Sequence, residues 1–232
     1  MFTTPHSSSA RFLATQPWFT RLTLAAQQRV SDSLVYTSGK KGDVMLPAHA
    51  PVAGSYAVVS GLVKLQSVTV QGRSSTFLGV ACGDWFGEGA ALKTVARQYE
   101  VVALRDTELL CLPRAEFEQL HATSLEFNQF LVSKLNLRLG QAMALIEAGR
   151  LRTPEQRVAL SLSRLFWSKT RKVSLSQDEL ANLVGVSRQT VNRALKTLAQ
   201  HGLVTLEFGR VDIPDDEALT RFIFATTDQP AP

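Results

Sequence analysis

The chain has 232 residues, 45% of them hydrophobic, with a formal net charge of +5 and a pI near 9.5. That length accommodates two modest domains, each able to bury a core, and the apolar share is ordinary for a soluble globular protein. No apolar run is long enough to span a bilayer and residues 1–10 lack the apolar core of a signal peptide, so a cytoplasmic protein without membrane contact is expected; the basic excess suits a polyanionic partner.

Residues 1–22 read as an N-terminal lead-in. Pro5 and the serines Ser7, Ser8 and Ser9 predict a flexible stretch over residues 1–14 that buries little. Pro17, Trp18 and Phe19, followed by Leu22, Leu24 and Val30, predict short helices packed on the first domain. That domain is placed at residues 23–123. From Leu34 to about Leu112, short apolar alternations such as Tyr56-Ala57-Val58-Val59 and Leu62-Val63-Lys64-Leu65 are separated by glycines, among them Gly54, Gly61, Gly72, Gly83 and Gly87. Regular strands with glycine at the corners predict a small antiparallel barrel or jelly roll. Such a roll can enclose a ligand or be filled by its own side chains, and the pattern does not choose.

Pro113 to Phe117 begins a short helix, and residues 124–152 read as a long helix with a hinge at Gly149 to Thr153. Leu125, Asn128, Val132, Leu135, Leu139, Ala142, Ile146 and Gly149 recur at alternating steps of three and four. A seam of that period predicts a partner helix rather than a single buried one. Phe127, Phe130, Leu131 and Leu137 form a second apolar surface that can clamp the roll.

Residues 153–226 form the last domain. Thr153-Pro154 opens an amphipathic helix carrying Arg157, Val158, Leu160, Leu162, Leu165 and Phe166; the basic loop Lys169 to Lys172 leads to a short strand at Val173-Ser174-Leu175. Ser176 with Glu179 is a capping-box start for a helix carrying Leu180, Ala181, Leu183 and Val184. Gly185 ends it, Val186 plugs the turn and Ser187 caps a second helix. On that second helix Val191, Ala194, Leu195 and Leu198 share one side, and Arg188, Gln189, Asn192, Arg193 and Lys196 the other. The second side offers forks for guanine, amides for adenine and cations for phosphate, with no carboxylate among them. Leu203 to Phe208, a turn at Gly209-Arg210, and Val211 with Ile213 predict a hairpin. A hairpin behind the second helix is a wing, so the segment reads as a winged helix-turn-helix. Leu219, Phe222 and Ile223 predict a terminal helix, and Asp228 to Pro232 a frayed end. Between Arg150 and Lys196 the cations face only Glu155, Asp178 and Glu179, so the basic excess sits where the helix-turn-helix sits.

The run V-S-R-Q-T-V-N-R-A-L-K-T-L, Val186 to Leu198, resembles the recognition helix of the cyclic-AMP receptor/fumarate-nitrate regulator (Crp/Fnr) family, with its pattern S-R-[EQ]-T-V-x-R-x-L-x-x-L. The likeness covers nearly everything after about residue 20. It implies an α+β chain: an N-terminal cyclic-nucleotide-binding-like β-roll (jelly roll), a long dimerisation helix and a C-terminal winged helix-turn-helix. The function implied is that of a homodimeric transcription regulator on a pseudo-palindromic site in double-stranded DNA, with RNA polymerase as a further partner. Arg188, Gln189 and Arg193 are the candidates for base contacts; Ser187, Thr190, Asn192 and Lys196 are assigned to the DNA backbone. Gln189 stands where the family often has Glu, which predicts weaker preference for cytosine and admits adenine there.

The family places its nucleotide-phosphate cassette on G-D-W-F-G-E-G-A-A-L-K, Gly83 to Lys93, and A-R-Q-Y-E-V-V-A-L, Ala96 to Leu104. Small residues at Gly87 and Gly89 let backbone amides approach a phosphate, and an arginine supplies the countercharge. By position Glu88 would meet the ribose and Arg97 the phosphate, and Gly87, Glu88, Gly89, Arg97 and Gln98 are the candidate effector-binding residues. True cyclic-AMP binders follow that arginine with Ser or Thr, whereas here Gln98 and Tyr99 follow, and the helix positions that meet adenine fall near Ala142 and Met143. The effector is therefore left open: a cyclic nucleotide, another small effector, or none, with the roll a scaffold or protein-interaction module and Glu88 and Arg97 holding the cassette together. Cys82 and Cys111 cannot by themselves hold a four-cysteine iron-sulfur cluster, and His6, His49, His121 and His201 show no paired ligand spacing. No catalytic triad, metal-ligand cluster or P-loop is present, which leaves an enzyme reading without support.

Overall fold

The computed structural model describes residues 7–225 except Val70, Gly72, Arg73, Thr94 and Phe208. The frayed end expected from Asp228, His6, the corner at Gly72 and the wing position Phe208 lie outside them. The chain divides into two units, one ending at Asn136 and the other beginning at Leu137.

The first unit opens with three helices, α1 (Ser7–Ala14), α2 (Pro17–Thr20) and α3 (Leu24–Ser33). The roll follows as β1 (Val35–Gly39), β2 (Val44–Leu46), β3 (Gly54–Ser60), β4 (Leu62–Val68), β5 (Ser74–Ala81), β6 (Trp85–Phe86), α4 (Glu88–Lys93), β7 (Glu100–Ala103) and β8 (Thr107–Pro113). Two four-stranded antiparallel sheets result, in the orders β1-β8-β3-β6 and β2-β7-β4-β5. At the β3–β4 turn Gly61 has φ +89, and a Cβ there would lie 2.4 Å from the Asp106 carbonyl oxygen, so only glycine fits.

Register decides the two faces of the first sheet, because successive side chains point to opposite sides. Tyr36, Leu110, Ala57 and Trp85 lie opposite one another across β1, β8, β3 and β6, as do Val35, Cys111, Tyr56 and Phe86 one residue away. The first row meets the helices. Ala57, Trp85 and Leu110 join Phe12, Leu13, Trp18, Phe117, Phe127 and Leu131 in one buried cluster. Aromatic rings dominate it, with Trp18 5.0 Å from Phe127 and 5.7 Å from Trp85, and the Trp85 indole donates to Gln16 Oε1 at 3.1 Å.

That cluster corrects the expectation that residues up to 14 bury little. Over the described part, residues 7–14 are helical, and Phe12 and Leu13 insert into the core. The serine-rich start obscured one apolar pair that the Trp85 face needed to cover it.

The chain leaves the roll through α5 (Arg114–Thr123) and enters α6 (Leu125–Leu151), where the Ser124 hydroxyl accepts from Phe127 N at 3.1 Å. Phe127 and Leu131 are buried and Phe130 packs against the same cluster, as the sequence implied; Lys134 Nζ adds a bond to Asp84 at 3.0 Å. Leu137 is only half-buried and belongs to the second unit. Leu125, Val132, Leu135, Leu139 and Ile146 of the predicted seam stay exposed, together with Met143 and Leu151.

The second unit continues with α7 (Pro154–Leu162), β9 (Lys172–Val173), α8 (Gln177–Val184), α9 (Arg188–Gln200), β10 (Thr205–Glu207), β11 (Arg210–Asp212) and α10 (Asp216–Phe224). Three details differ from the sequence reading. Helix α7 stops at Leu162, before Leu165 and Phe166, where Ser163 N donates to Leu160 O. The strand before α8 is Lys172–Val173, and it pairs with β11, so the wing is a three-stranded sheet in the order β10-β11-β9. Arg210 belongs to β11 rather than to the turn, which Gly209 makes with φ +69.

If α1 is part of the core, Leu13→Ala should cost about 2–5 kcal/mol of unfolding free energy, the usual range for a buried leucine. Urea denaturation measures this, and a loss below about 0.5 kcal/mol, the level of a surface substitution, would mean that α1 does not pack.

Candidate nucleic-acid interface and effector cassette

Helix α8 begins at the expected capping box: Ser176 Oγ accepts from Glu179 N at 3.2 Å, and Glu179 Oε2 accepts from Ser176 N at 2.8 Å. It ends where Gly185, at φ +73, donates its amide to Ala181 O, and Arg157 reaches across to the Val184 carbonyl at 2.9 Å. Ser187 then caps α9 by accepting from Thr190 N at 3.1 Å, while its hydroxyl meets that of Thr190 at 2.8 Å. Both hydroxyls therefore serve the helix start.

Val191, Ala194, Leu195 and Leu198 are buried, and Arg188, Gln189, Arg193 and Lys196 are exposed. The four exposed side chains share a face free of any carboxylate belonging to α9. Asn192 is half-buried and donates to Gln177 Oε1 at 3.2 Å. Sequence reasoning missed one neighbour. Asp178 Oδ2, from the first turn of α8, lies 3.3 Å from Arg188 Nη1. Helical periodicity places residues around their own helix, and it carries no information on which residue of α8 faces α9.

In the roll, the second row of the first sheet faces the interior. Tyr56 stacks on Phe86 with ring centroids 5.7 Å apart, and Ser55 Oγ donates to Phe86 O at 3.1 Å, which seats the Phe86-Gly87-Glu88 corner on β3. Gly87 has φ +87 and lies over Tyr56, and Glu88, at the start of α4, is buried. Arg97 is pinned through its backbone, donating from N to Ala50 O and accepting at O from His49 N. Its guanidinium lies 5.4 Å from the centre of the Tyr56 ring, and the residue is 2% exposed. Among the described residues, Nε and Nη2 have no hydrogen-bond partner. The structure thus brings Gly87, Glu88 and Arg97 into buried positions of the cassette; Gly89 is half-buried. Gln98 is exposed and turns its amide to Ala96 O at 2.9 Å, away from the interior.

Tyr56 and Cys111 complete the surroundings of Arg97. Burial pushes the Cys111 thiol up to about 11 against the opposing pull of the Tyr56 hydroxyl and the Arg97 charge. Burial likewise raises Tyr56 to about 12, with Cys111 adding to the rise and Arg97 opposing it. The sequence contains both residues but not the β3–β8 register that sets them side by side.

An antiparallel roll with a buried arginine cassette, joined in one chain to a winged helix-turn-helix, defines a class of DNA-binding regulators with a ligand-binding-type N-terminal domain. The model of the cyclic nucleotide-binding domain matches residues 37–124, and that of the Crp-like helix-turn-helix domain residues 156–222. The chain is 32% identical over 170 residues to the cyclic AMP receptor protein of Thermus thermophilus, covering 73% of this chain and 79% of that one. Against the transcriptional regulator SdrP of the same organism it is 31% identical, over 78% of this chain and 91% of that one. A solved Crp/Fnr-family transcriptional regulator, also from Thermus thermophilus, superposes with a TM-score of 0.62 at 28% identity, covering 82% of this chain and 98% of that one. The chain belongs to the Crp/Fnr family, and it is a DNA-binding transcription regulator.

The raised proton affinities of Tyr56 and Cys111 have a measurable consequence. In the unfolded chain these groups return to values near 10.0 and 9.0, so above about 9 the unfolded state binds fewer protons than the folded one. Their contribution is fully present below about 9 and is lost as pH rises towards about 11 for the thiol and about 12 for the phenol. Cys111→Ser should flatten the decline of unfolding free energy between about pH 9 and 11, followed by denaturant titration at each pH. An unaltered slope would contradict a buried, protonated thiol.

Proposed function

We propose that the protein acts as a homodimer on a two-fold DNA site, with α9 of each copy in the major groove. The observation that carries this reading is the exposed face of α9, on which Arg188, Gln189, Arg193 and Lys196 stand on a capped helix without a carboxylate of its own. Arg188 and Arg193 offer planar forks to guanine and Gln189 offers an amide pair to adenine, while Lys196 faces phosphate. Ser187 and Thr190 serve the helix start, Asn192 ties α9 to α8, and all three are assigned to the approach to the DNA backbone. The exposed apolar seam of α6 supplies the pairing surface. A parallel helix pair would set two reading helices about one DNA turn apart.

The N-terminal roll, in this proposal, takes an effector with an anionic group. Support comes from Arg97, a buried guanidinium with two donors, Nε and Nη2, that have no partner among the described residues. Unsatisfied buried donors are costly, and an anion lying along that edge would satisfy both. Gly87, Glu88 and Gly89 would line the ligand. Gln98 and Tyr99, in place of a hydroxyl residue after the arginine, and Ala142 and Met143 on α6 argue against 3′,5′-cyclic AMP as the natural ligand.

Two measurements test these readings. Selection from random duplexes should return a pseudo-palindrome, and Arg188→Ala should cost about 1–3 kcal/mol and relax one base position per half-site; an unchanged site logo contradicts the groove assignment. Arg97→Met should stabilise the ligand-free protein by about 1–3 kcal/mol, because it removes a buried charge with unpaired donors, and should abolish any thermal shift by anionic ligands. Destabilisation by that amount would instead make Arg97 a structural pillar of a ligandless roll.

A further inference from the structure

A carboxylate from another helix stands at the edge of the α9 face. Asp178 Oδ2 is 3.3 Å from Arg188 Nη1, with the two side chains 62% and 66% exposed. Its neighbour Glu179 is committed to the capping box with Ser176. Asp178 takes no part in that cap. On its other side, Gln177 Oε1 accepts from Asn192 Nδ2 at 3.2 Å, so consecutive residues of the first turn of α8 hold two side chains of α9.

Folding does not account for the Asp178–Arg188 contact, since an ion pair this exposed adds little to stability. Against the phosphate backbone the carboxylate is unfavourable whatever the sequence, because it repels phosphates and cancels a cation. Beyond the favourable placement of an acidic residue in the first turn of α8, what distinguishes Asp178 is what it does to Arg188. A guanidinium whose Nη1 is held by Asp178 presents its remaining edge, Nε and Nη2, in one plane. That edge matches guanine O6 and N7. Where no guanine is in reach, Arg188 gains a phosphate only by turning away, and Asp178 is then left unpaired beside the backbone.

We propose that Asp178 is a positioning residue for Arg188 and a specificity determinant of this regulator, penalising DNA of arbitrary sequence more than the cognate site. Discrimination of this kind is made by an unfavourable contact with the wrong partner as much as by a favourable one with the right partner. The proposal rests on α9 entering the major groove.

The test uses the full-length protein with its selected site and a scrambled duplex of equal length, titrated over a range of salt. Asp178→Asn keeps the shape and removes the charge; because the side chain is exposed, the fold should be kept. It should bind the scrambled duplex about three- to tenfold tighter and steepen the dependence of log K on log salt by about one. The ratio of cognate to scrambled affinity should fall about five- to tenfold, and the logo should loosen at the base pair that Arg188→Ala also loosens. Asp178→Glu should recover part of the ratio. In the double variant Asp178→Asn/Arg188→Ala, the loss of ratio should not exceed that of Arg188→Ala alone, as expected for residues acting through one contact. An unchanged ratio in Asp178→Asn, or full additivity in the double variant, overturns the proposal while the groove reading stands. A logo indifferent to Arg188→Ala overturns both.

Discussion

The antiparallel pairing of β3 with β8 is the constraint on which the first unit depends. With Ala57 opposite Leu110 and Tyr56 opposite Cys111, one row of side chains is turned to the helices and the next to the inside of the roll. A slip of β3 by one residue would exchange its two faces and send Tyr56 into the aromatic cluster around Trp18. The helical layer and the cassette are therefore not independent features. The apolar cluster that holds α1, α2 and α6 against Trp85 lies on one face of the sheet, and Tyr56, stacked on Phe86, meets Arg97 on the other.

Inside the roll, the chemistry is that of a charge kept from water. Arg97 is held by its backbone to the loop at His49 and Ala50, and its guanidinium lies over the Tyr56 ring. A cation over an aromatic ring is stabilised less than one in a full set of hydrogen bonds, which is why two idle donors matter. The Tyr56 hydroxyl and the Arg97 charge act on each other, but burial raises the proton affinity of both the phenol and the neighbouring thiol, so neither supplies a counter-ion.

In the second unit the same economy of faces governs α9. Val191, Ala194, Leu195 and Leu198 are spent on packing, and the hydroxyls of Ser187 and Thr190 on the helix start, which leaves the long side chains Arg188, Gln189, Arg193 and Lys196 exposed. In the first turn of α8, Asp178 pairs with Arg188 and Gln177 accepts from Asn192. Along α6, by contrast, Leu125, Val132, Leu135, Leu139, Met143, Ile146 and Leu151 are left exposed, an apolar surface of the kind that marks an interaction site.

Much of this architecture was legible in the residues themselves. Capping at Ser176 and Ser187, the glycine break at Gly185, the two faces of α9 and the seam of α6 are all local or periodic signals, and each is written within a few turns of chain. The roll was visible as a class, from glycine-punctuated alternation, and the cassette residues Glu88 and Arg97 came from likeness to a family. What the sequence hid were contacts between residues distant along the chain or on separate elements. Leu13 looked like part of a tail because its burial depends on Trp85, more than seventy residues away. Cys111 met Tyr56, and Asp178 met Arg188, through a strand register and a helix crossing. Periodicity can say which side of an element a residue occupies, but only the packing of one element on another decides what stands opposite it.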